Sequence, residues 1–213
     1  MRNPTNPVHK YYENIIKGIK HTPIIFELGA CDGTDSLDMI EVLSRHHKVY
    51  KYFAFEMDTR LKKNLDKIAS KMVTVVYKAI GNKDQVVECR LAQGKYYGSS
   101  TIKKPDKLLE HWPDMKYAMN LVPCCKLDTF CSQNNIPYID FIYADVEGAE
   151  IDLIDGGKTI LKNTSYLYTE HLDSIYEGNI STKKILEEIR KSGDWSIVED
   201  FGSDVLLKNN KGI

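Results

Sequence analysis

Short runs of β-branched and aromatic residues alternate with segments of helical period along most of this chain, and that alternation permits few folds. It is the pattern of parallel strands joined by crossover helices. Strands are expected at Ile24 to Leu28, Tyr52 to Phe55, Thr74 to Tyr77, Ile139 to Ala144 and Tyr166 to Thr169. Helices between them are expected to bury Leu37, Ile40, Val42 and Leu43, then Leu61, Leu65 and Ile68, then a longer stretch from Ile151 to Leu161. The tail holds a helix from Thr182 to Lys191 and two strand runs, Trp195 to Val198 and Val205 to Leu207. Phe201-Gly202-Ser203 joins those runs as a hairpin, so the last strand is expected to be antiparallel. The expected fold class is α/β, one mostly parallel sheet with helices on both faces.

With 213 residues and 42% hydrophobic side chains, the chain can bury one core, so residues 1–213 are read as a single domain. Residues 1–23 form an N-terminal arm and helix. From 86 to 126 the alternation breaks into two strand-like runs around a Gly, Ser and Lys-rich loop, an insertion of the kind that carries specificity. A formal net charge of −1, with no long Lys or Arg run, argues against nucleic acid as a partner. The apolar stretches are too short to span a bilayer, and Arg2, Asn3 and Pro4 do not start a signal peptide, so a cytoplasmic protein is expected. Five cysteines with no Cys-x-x-Cys pair read as reduced thiols and not as a zinc site.

In open α/β sheets a ligand sits beyond the carboxyl ends of the strands, at the point where strand order reverses. The residues there are Glu27 to Gly33, Glu56, Ala79 to Asn82, Asp145 to Gly148, and Glu170 with His171. Gly29 and Gly33 let the backbone turn sharply and approach a ligand, and the following helix points its positive end at it. A carboxylate such as that of a methionine moiety suits that position. Gly-x-Gly-x-x-Gly is absent, and Glu27 and Asp32 would repel a pyrophosphate, which favours a cationic sulfonium ligand over a nicotinamide cofactor. Glu56 ends the next strand, where a carboxylate accepts from both ribose hydroxyls. A glycine pair alone also fits an ordinary strand-to-helix turn; Glu56 at the matching place tips the reading to binding.

The blocks Phe26-Glu27-Leu28-Gly29-Ala30-x-Asp32-Gly33, Phe55-Glu56, Ala79-Ile80-Gly81, Gly98-Ser99-Ser100 and Lys126-Leu127-Asp128 lead up to a distinctive one, Asp145-Val146-Glu147-Gly148-Ala149-Glu150. Their order resembles FkbM-type methyltransferases over roughly residues 24 to 171. The resemblance implies a Rossmann-like class I methyltransferase fold, with a seven-stranded sheet ending in an antiparallel strand. It implies S-adenosyl-L-methionine held by Glu27, Gly29, Ala30, Cys31, Asp32 and Gly33. Glu56 and Met57 would take the ribose, Ala79, Ile80 and Gly81 the adenine, with Ser100 and Asp145 completing the set. It implies O-methylation of a hydroxyl on a sugar or glycan, the insertion shaping the acceptor site. Where the common form reads Lys-Ile-Asp-Val-Glu-Gly, this chain has Tyr143-Ala144 ahead of Asp145, so the usual cation is missing.

Methyl transfer needs a base near the acceptor oxygen. His171 is the first candidate, with Glu170 or Asp145 to orient it, and Asp145 is alternatively the base or a contact to the donor's amino group. Glu147 and Glu150 are read as residues that begin the following helix. Asp145, Glu170 and His171 together leave a divalent cation, magnesium or manganese, open. Tyr96, Tyr97, Trp112, Tyr117 and Tyr176 are read as packing residues before stacking residues. The alternatives kept are a polyketide, lipid or phenolic acceptor, a nicotinamide-linked oxidoreductase, and an inactive donor-binding module that docks a partner. A homo-oligomer, or a place within a larger polypeptide, also stays open.

Overall fold

The computed structural model describes residues 7–105, 107–171, 175–177 and 181–212; the start of the polar arm lies outside them. Its main sheet has seven strands: β1 (Ile24–Leu28), β2 (Lys51–Phe55), β3 (Val73–Val76), β7 (Ile139–Ala144), β8 (Thr164–Glu170), β9 (Trp195–Asp200) and β10 (Asp204–Asn209). Their order is β3-β2-β1-β7-β8-β10-β9, and β10 runs antiparallel to both neighbours. The expected seven-stranded sheet with an antiparallel last strand is therefore present. Strand order reverses between β1 and β7, which are parallel neighbours, so the crevice of this fold opens at their carboxyl ends. Every residue of β1 and of β7 is buried, as central parallel strands covered on both faces require.

Alternation along the strands divides the core in two. On one face Phe26, Leu28 and Phe55 meet Phe130 of α5 (Leu127–Gln133), Leu153 of α6 (Glu150–Gly156) and Ile185 of α7 (Thr182–Ile189). The Phe55 and Phe130 rings meet edge to face at 4.8 Å. On the other face Ile25, Tyr52 and Phe141 meet Tyr12 of α1 (His9–Gly18), Leu43 of α2 (Thr34–His46) and Leu65 of α3 (Lys62–Leu65).

Several expected boundaries move. Leu37 is 54% exposed, because Ser36, Met39, Val42 and Leu43 take the buried stripe of α2. The stretch from Ile151 to Leu161 is not one helix. α6 ends at Gly156, a position where a Cβ would lie 2.1 Å from the Gly81 carbonyl oxygen, and a separate 3-10 turn covers Ile160–Asn163. Ala79 and Ile80, expected in a loop, form β4 (Ala79–Ile80), which pairs with β6 (Tyr117–Cys125). With β5 (Gln85–Ala92) they build a second, three-stranded sheet whose connection contains α4 (Leu108–His111). This small sheet holds most of the 86–126 segment and stands over the carboxyl end of the main sheet. No helix among the described residues is long and apolar enough to cross a membrane.

Candidate active site

The turn after β1 is fixed by three strand ends. Asp145 donates its backbone N–H to the Leu28 carbonyl at 2.9 Å, while Gly29 and Ala30 donate theirs to the Phe55 carbonyl at 3.0 and 2.8 Å. Gly29 has φ of 93°, and a Cβ there would lie 1.8 Å from the Asp145 carbonyl oxygen. Only glycine fits that crossing. Cys31 follows at φ of 48° and Gly33, at 82°, caps α2.

Glu56 stands at the floor of the turn. Its carboxylate accepts the Cys31 N–H at 2.8 Å and the Asp58 N–H at 2.6 Å. Burial pushes its pKa up to about 7, against those two donors. A carboxylate offers about four acceptor positions, so capacity is left on both oxygens.

A cavity of about 480 Å³ opens above this floor, within the size range of small-molecule sites. Gly29, Ala30, Cys31, Asp32, Glu56 and Met57 form one side; Ala79, Ile80, Ser100 and Asp145 form another. A loop of the small sheet closes over it. The Tyr97 hydroxyl donates to Asp32 at 2.9 Å, Thr101 Oγ1 donates to the Glu147 carbonyl at 2.6 Å, and Lys103 pairs with Asp152 of α6 at 2.6 Å. Asp145 lines the cavity, and its buried carboxylate oxygen Oδ1 has no hydrogen-bond partner among the described residues.

Of the residues expected to hold the donor or to act in catalysis, five do not line the cavity: Glu27, Gly33, Gly81, Glu170 and His171. Glu27 points to the opposite face of β1, where Tyr52 donates to it at 2.8 Å and Ser36 bonds to it as well. It ties α2 to the sheet. Gly33 and Gly81 lie one step behind the wall, Gly81 donating its N–H to Cys125 at 3.1 Å. His171 turns toward the tail: its Nε2 is 2.7 Å from Thr182 Oγ1 and its N–H donates to Ser203. Glu170 is held neutral well above the usual carboxylate range, chiefly by burial and then by the nearby Asp145, Glu147 and Glu150 charges. No group of three or more His, Cys, Asp or Glu among the described residues is placed to hold a metal ion, so Asp145, Glu170 and His171 do not assemble into one.

Glu27 has a consequence for stability. Burial raises its pKa from 4.5 to about 8 in the fold, so the folded chain holds this proton more tightly than the unfolded one. The stability it contributes is full below about 4.5 and is lost as pH rises through about 8. Thermal melts are expected to fall across that window, and Glu27→Gln is expected to flatten the fall; an unchanged slope in the variant contradicts this assignment.

Glu147, within the strand-end span but read as the start of a helix, and Tyr97, read as packing, both line the cavity. Glu147 lines the cavity at φ of 49°, and its carboxylate accepts from Tyr176. Glu150, read as beginning the next helix, does begin α6 and accepts the Gly148 N–H at 3.3 Å. The signal that was available for Glu147 is its spacing, two residues past a strand-end aspartate and just before a glycine. Tyr97 lies in an irregular loop, where local pattern carries no such signal.

Residues 27–194 match the model of the methyltransferase FkbM domain. The 2-O-methyltransferase NoeI of Sinorhizobium fredii (strain NBRC 101917 / NGR234) is 28% identical over 228 aligned positions, covering 99% of this chain and 89% of NoeI. Among solved structures, methyltransferase FkbM from Methylobacillus flagellatus KT superposes with a TM-score of 0.52 at 15% identity, covering 94% of this chain. The chain spans 50% of that structure's length. The methyltransferase domain of METTL16 gives a TM-score of 0.52 at 12% identity over 96% of this chain and 66% of its own.

Proposed function

The chain belongs to the FkbM methyltransferase family, and from that premise we propose that it moves the methyl group of S-adenosylmethionine to a hydroxyl of a sugar or glycan. Membership in a methyltransferase family sets aside the nicotinamide-linked alternative. The observation that carries the proposal is the meeting of the Gly29 turn and the Glu56 carboxylate at the floor of one cavity. Glu56 would accept from the donor's ribose hydroxyls, Met57, Ala79 and Ile80 would hold its adenine, and Asp145, whose Oδ1 lacks a partner among the described residues, would accept from its ammonium group. Ser100 completes that wall.

A hydroxyl acceptor fits the activity in the name of the NoeI relative. A polyhydroxylated acceptor suits walls made of Asp32, Tyr97, Ser99 and Glu147 better than a lipid or a plain phenol does. The small sheet carries part of those walls, so it shapes the acceptor side. Of the three residues first considered for catalysis, only Asp145 lines the cavity; His171 bonds to Thr182 and Ser203 of the tail, and Glu170 sits beside the Asp145, Glu147 and Glu150 carboxylates behind the lining.

The test is transfer of labelled methyl from S-adenosylmethionine to a panel of methyl glycosides, with phenols and fatty alcohols beside them. Label in the glycosides is the expected result; label only in the phenols or alcohols would overturn the sugar reading. His171→Gln is expected to keep turnover within about threefold. Asp145→Asn is expected to weaken S-adenosylhomocysteine binding by about 10- to 100-fold, the worth of one hydrogen bond to a charged group. Equal effects in the two variants contradict the placement of Asp145.

A further inference from the structure

The proposed methyl transfer, on which this inference rests, needs a group that takes the acceptor's proton, and His171 is turned away from the cavity. We infer that Glu147 is that group and that Tyr176 is the residue that positions it. Glu147 lines the cavity two residues beyond Asp145, on the turn that leaves β7. It sits in the left-handed region, with φ of 49°, a conformation that a non-glycine side chain keeps only when its surroundings hold it there. Two contacts do so. Thr101 of the small sheet donates to its carbonyl at 2.6 Å, and Tyr176 donates to its carboxylate.

The next residue explains how Tyr176 arrives. Gly148 has φ of 97°, and a Cβ there would lie 2.5 Å from Tyr176 Cγ. Tyr176 therefore packs directly against the glycine, 1% exposed, with its hydroxyl bonded to the preceding glutamate. Glu177 N–H to the Lys104 carbonyl, 2.9 Å, and Lys107 N–H to the Ile175 carbonyl, 3.1 Å, bind this segment to the insertion. The Glu-Gly pair is thus a seat for Tyr176 as much as the start of a helix. One donor, Tyr176, occupies part of the Glu147 carboxylate, and a substrate hydroxyl can take one of the remaining acceptor positions.

In the step itself, the acceptor oxygen forms a bond to the methyl carbon as the carbon–sulfur bond breaks. That electron pair stays on sulfur, which becomes a neutral thioether. The hydroxyl proton passes to Glu147, so charge and atoms balance. The groups facing Glu147 are Asp145 at the end of β7, Glu150 in α6, Glu170 at the end of β8, Ser99 and Tyr117 in the insertion, and Tyr176. Burial, then the Glu150 charge, raises its pKa to about 7 against the Tyr176 hydrogen bond, which suits a base working near neutrality.

Glu147→Gln is expected to lower kcat at least about 100-fold, while S-adenosylhomocysteine binding measured by calorimetry stays within about threefold. Tyr176→Phe removes a donor that favours the ionised form, so the rising limb of the pH–rate profile is expected to move to higher pH with little change in donor affinity. The acceptor in both assays is whichever methyl glycoside the wild type turns over. A carbon-13 titration of the Glu147 carboxyl, assigned through Glu147→Gln and needing no acceptor, is expected to show a midpoint near neutrality that rises in Tyr176→Phe. Wild-type turnover by Glu147→Gln, or a carboxyl that titrates in the ordinary glutamate range and ignores Tyr176→Phe, overturns the inference. Loss of donor binding by the wild type would instead sink the donor-site reading.

Discussion

Gly29→Ala is expected to lower stability by at least about 3 kcal/mol and to abolish donor binding. An alanine Cβ would stand 1.8 Å from the Asp145 carbonyl oxygen, on backbone at φ of 93°. Neither atom can move alone. The carbonyl belongs to the residue whose N–H pairs with Leu28, and the glycine's own N–H pairs with Phe55. Relief therefore means separating the ends of β1, β2 and β7, which are the floor of the cavity. For a chain of this length, about 3 kcal/mol corresponds to a melting temperature lower by roughly 6–12 °C. Gly94→Ala is the control: its φ is also positive, at 61°, but nothing lies within 4 Å of a Cβ there. That variant is expected to lose only the cost of the backbone conformation, about 1 kcal/mol. If the two variants melt together, the strand ends do not cross as closely as described.

The second large effect is read in affinity. Glu56→Ala is expected to weaken S-adenosylhomocysteine binding at least about 100-fold, because two hydrogen bonds from the ribose to a carboxylate disappear together. The variant also leaves the Cys31 and Asp58 N–H groups without their acceptor, which loosens the turn that faces the donor. Glu56→Gln separates the two contributions. It keeps one acceptor oxygen and the shape of the side chain, so it is expected to fall between wild type and alanine. Burial pushes the carboxyl's pKa up to about 7, and its ionised form is the one that accepts both hydroxyls. Donor affinity is therefore expected to decline as pH falls below neutrality, and the part of the decline due to this group to vanish in Glu56→Gln. A calorimetric series at three pH values checks both points.

The central sheet could be read from residue types because its strands are buried on both faces. Ile24 to Leu28 and Ile139 to Ala144 are mostly apolar runs with a single acid each, and each is followed at once by a residue of a different kind, Gly29 and Asp145. The floor of the cavity was accessible for the same reason: Gly29 and Glu56 end adjacent parallel strands, and parallel register brings such ends together. What failed was direction. Glu27 stands just before the turn, yet strand alternation sends its side chain to Tyr52 and Ser36. His171 is one residue past β8 and turns toward Thr182 for the want of any local rule that says which way a strand end turns. Ala79 and Ile80 are too short a run to declare themselves a strand, and they become one only because Cys124 and Cys125 lie beside them. Glu147 and Tyr176 meet through a glycine between distant segments, a contact that no spacing in one sequence contains.

The sharpest test of the donor site is a crystal structure of the chain with S-adenosylhomocysteine. The ribose hydroxyls are expected on Glu56, the ammonium group on Asp145, and the sulfur turned toward Glu147 from within the cavity above Gly29. The nucleoside bound elsewhere, or bound there with its ribose facing away from Glu56, contradicts that arrangement.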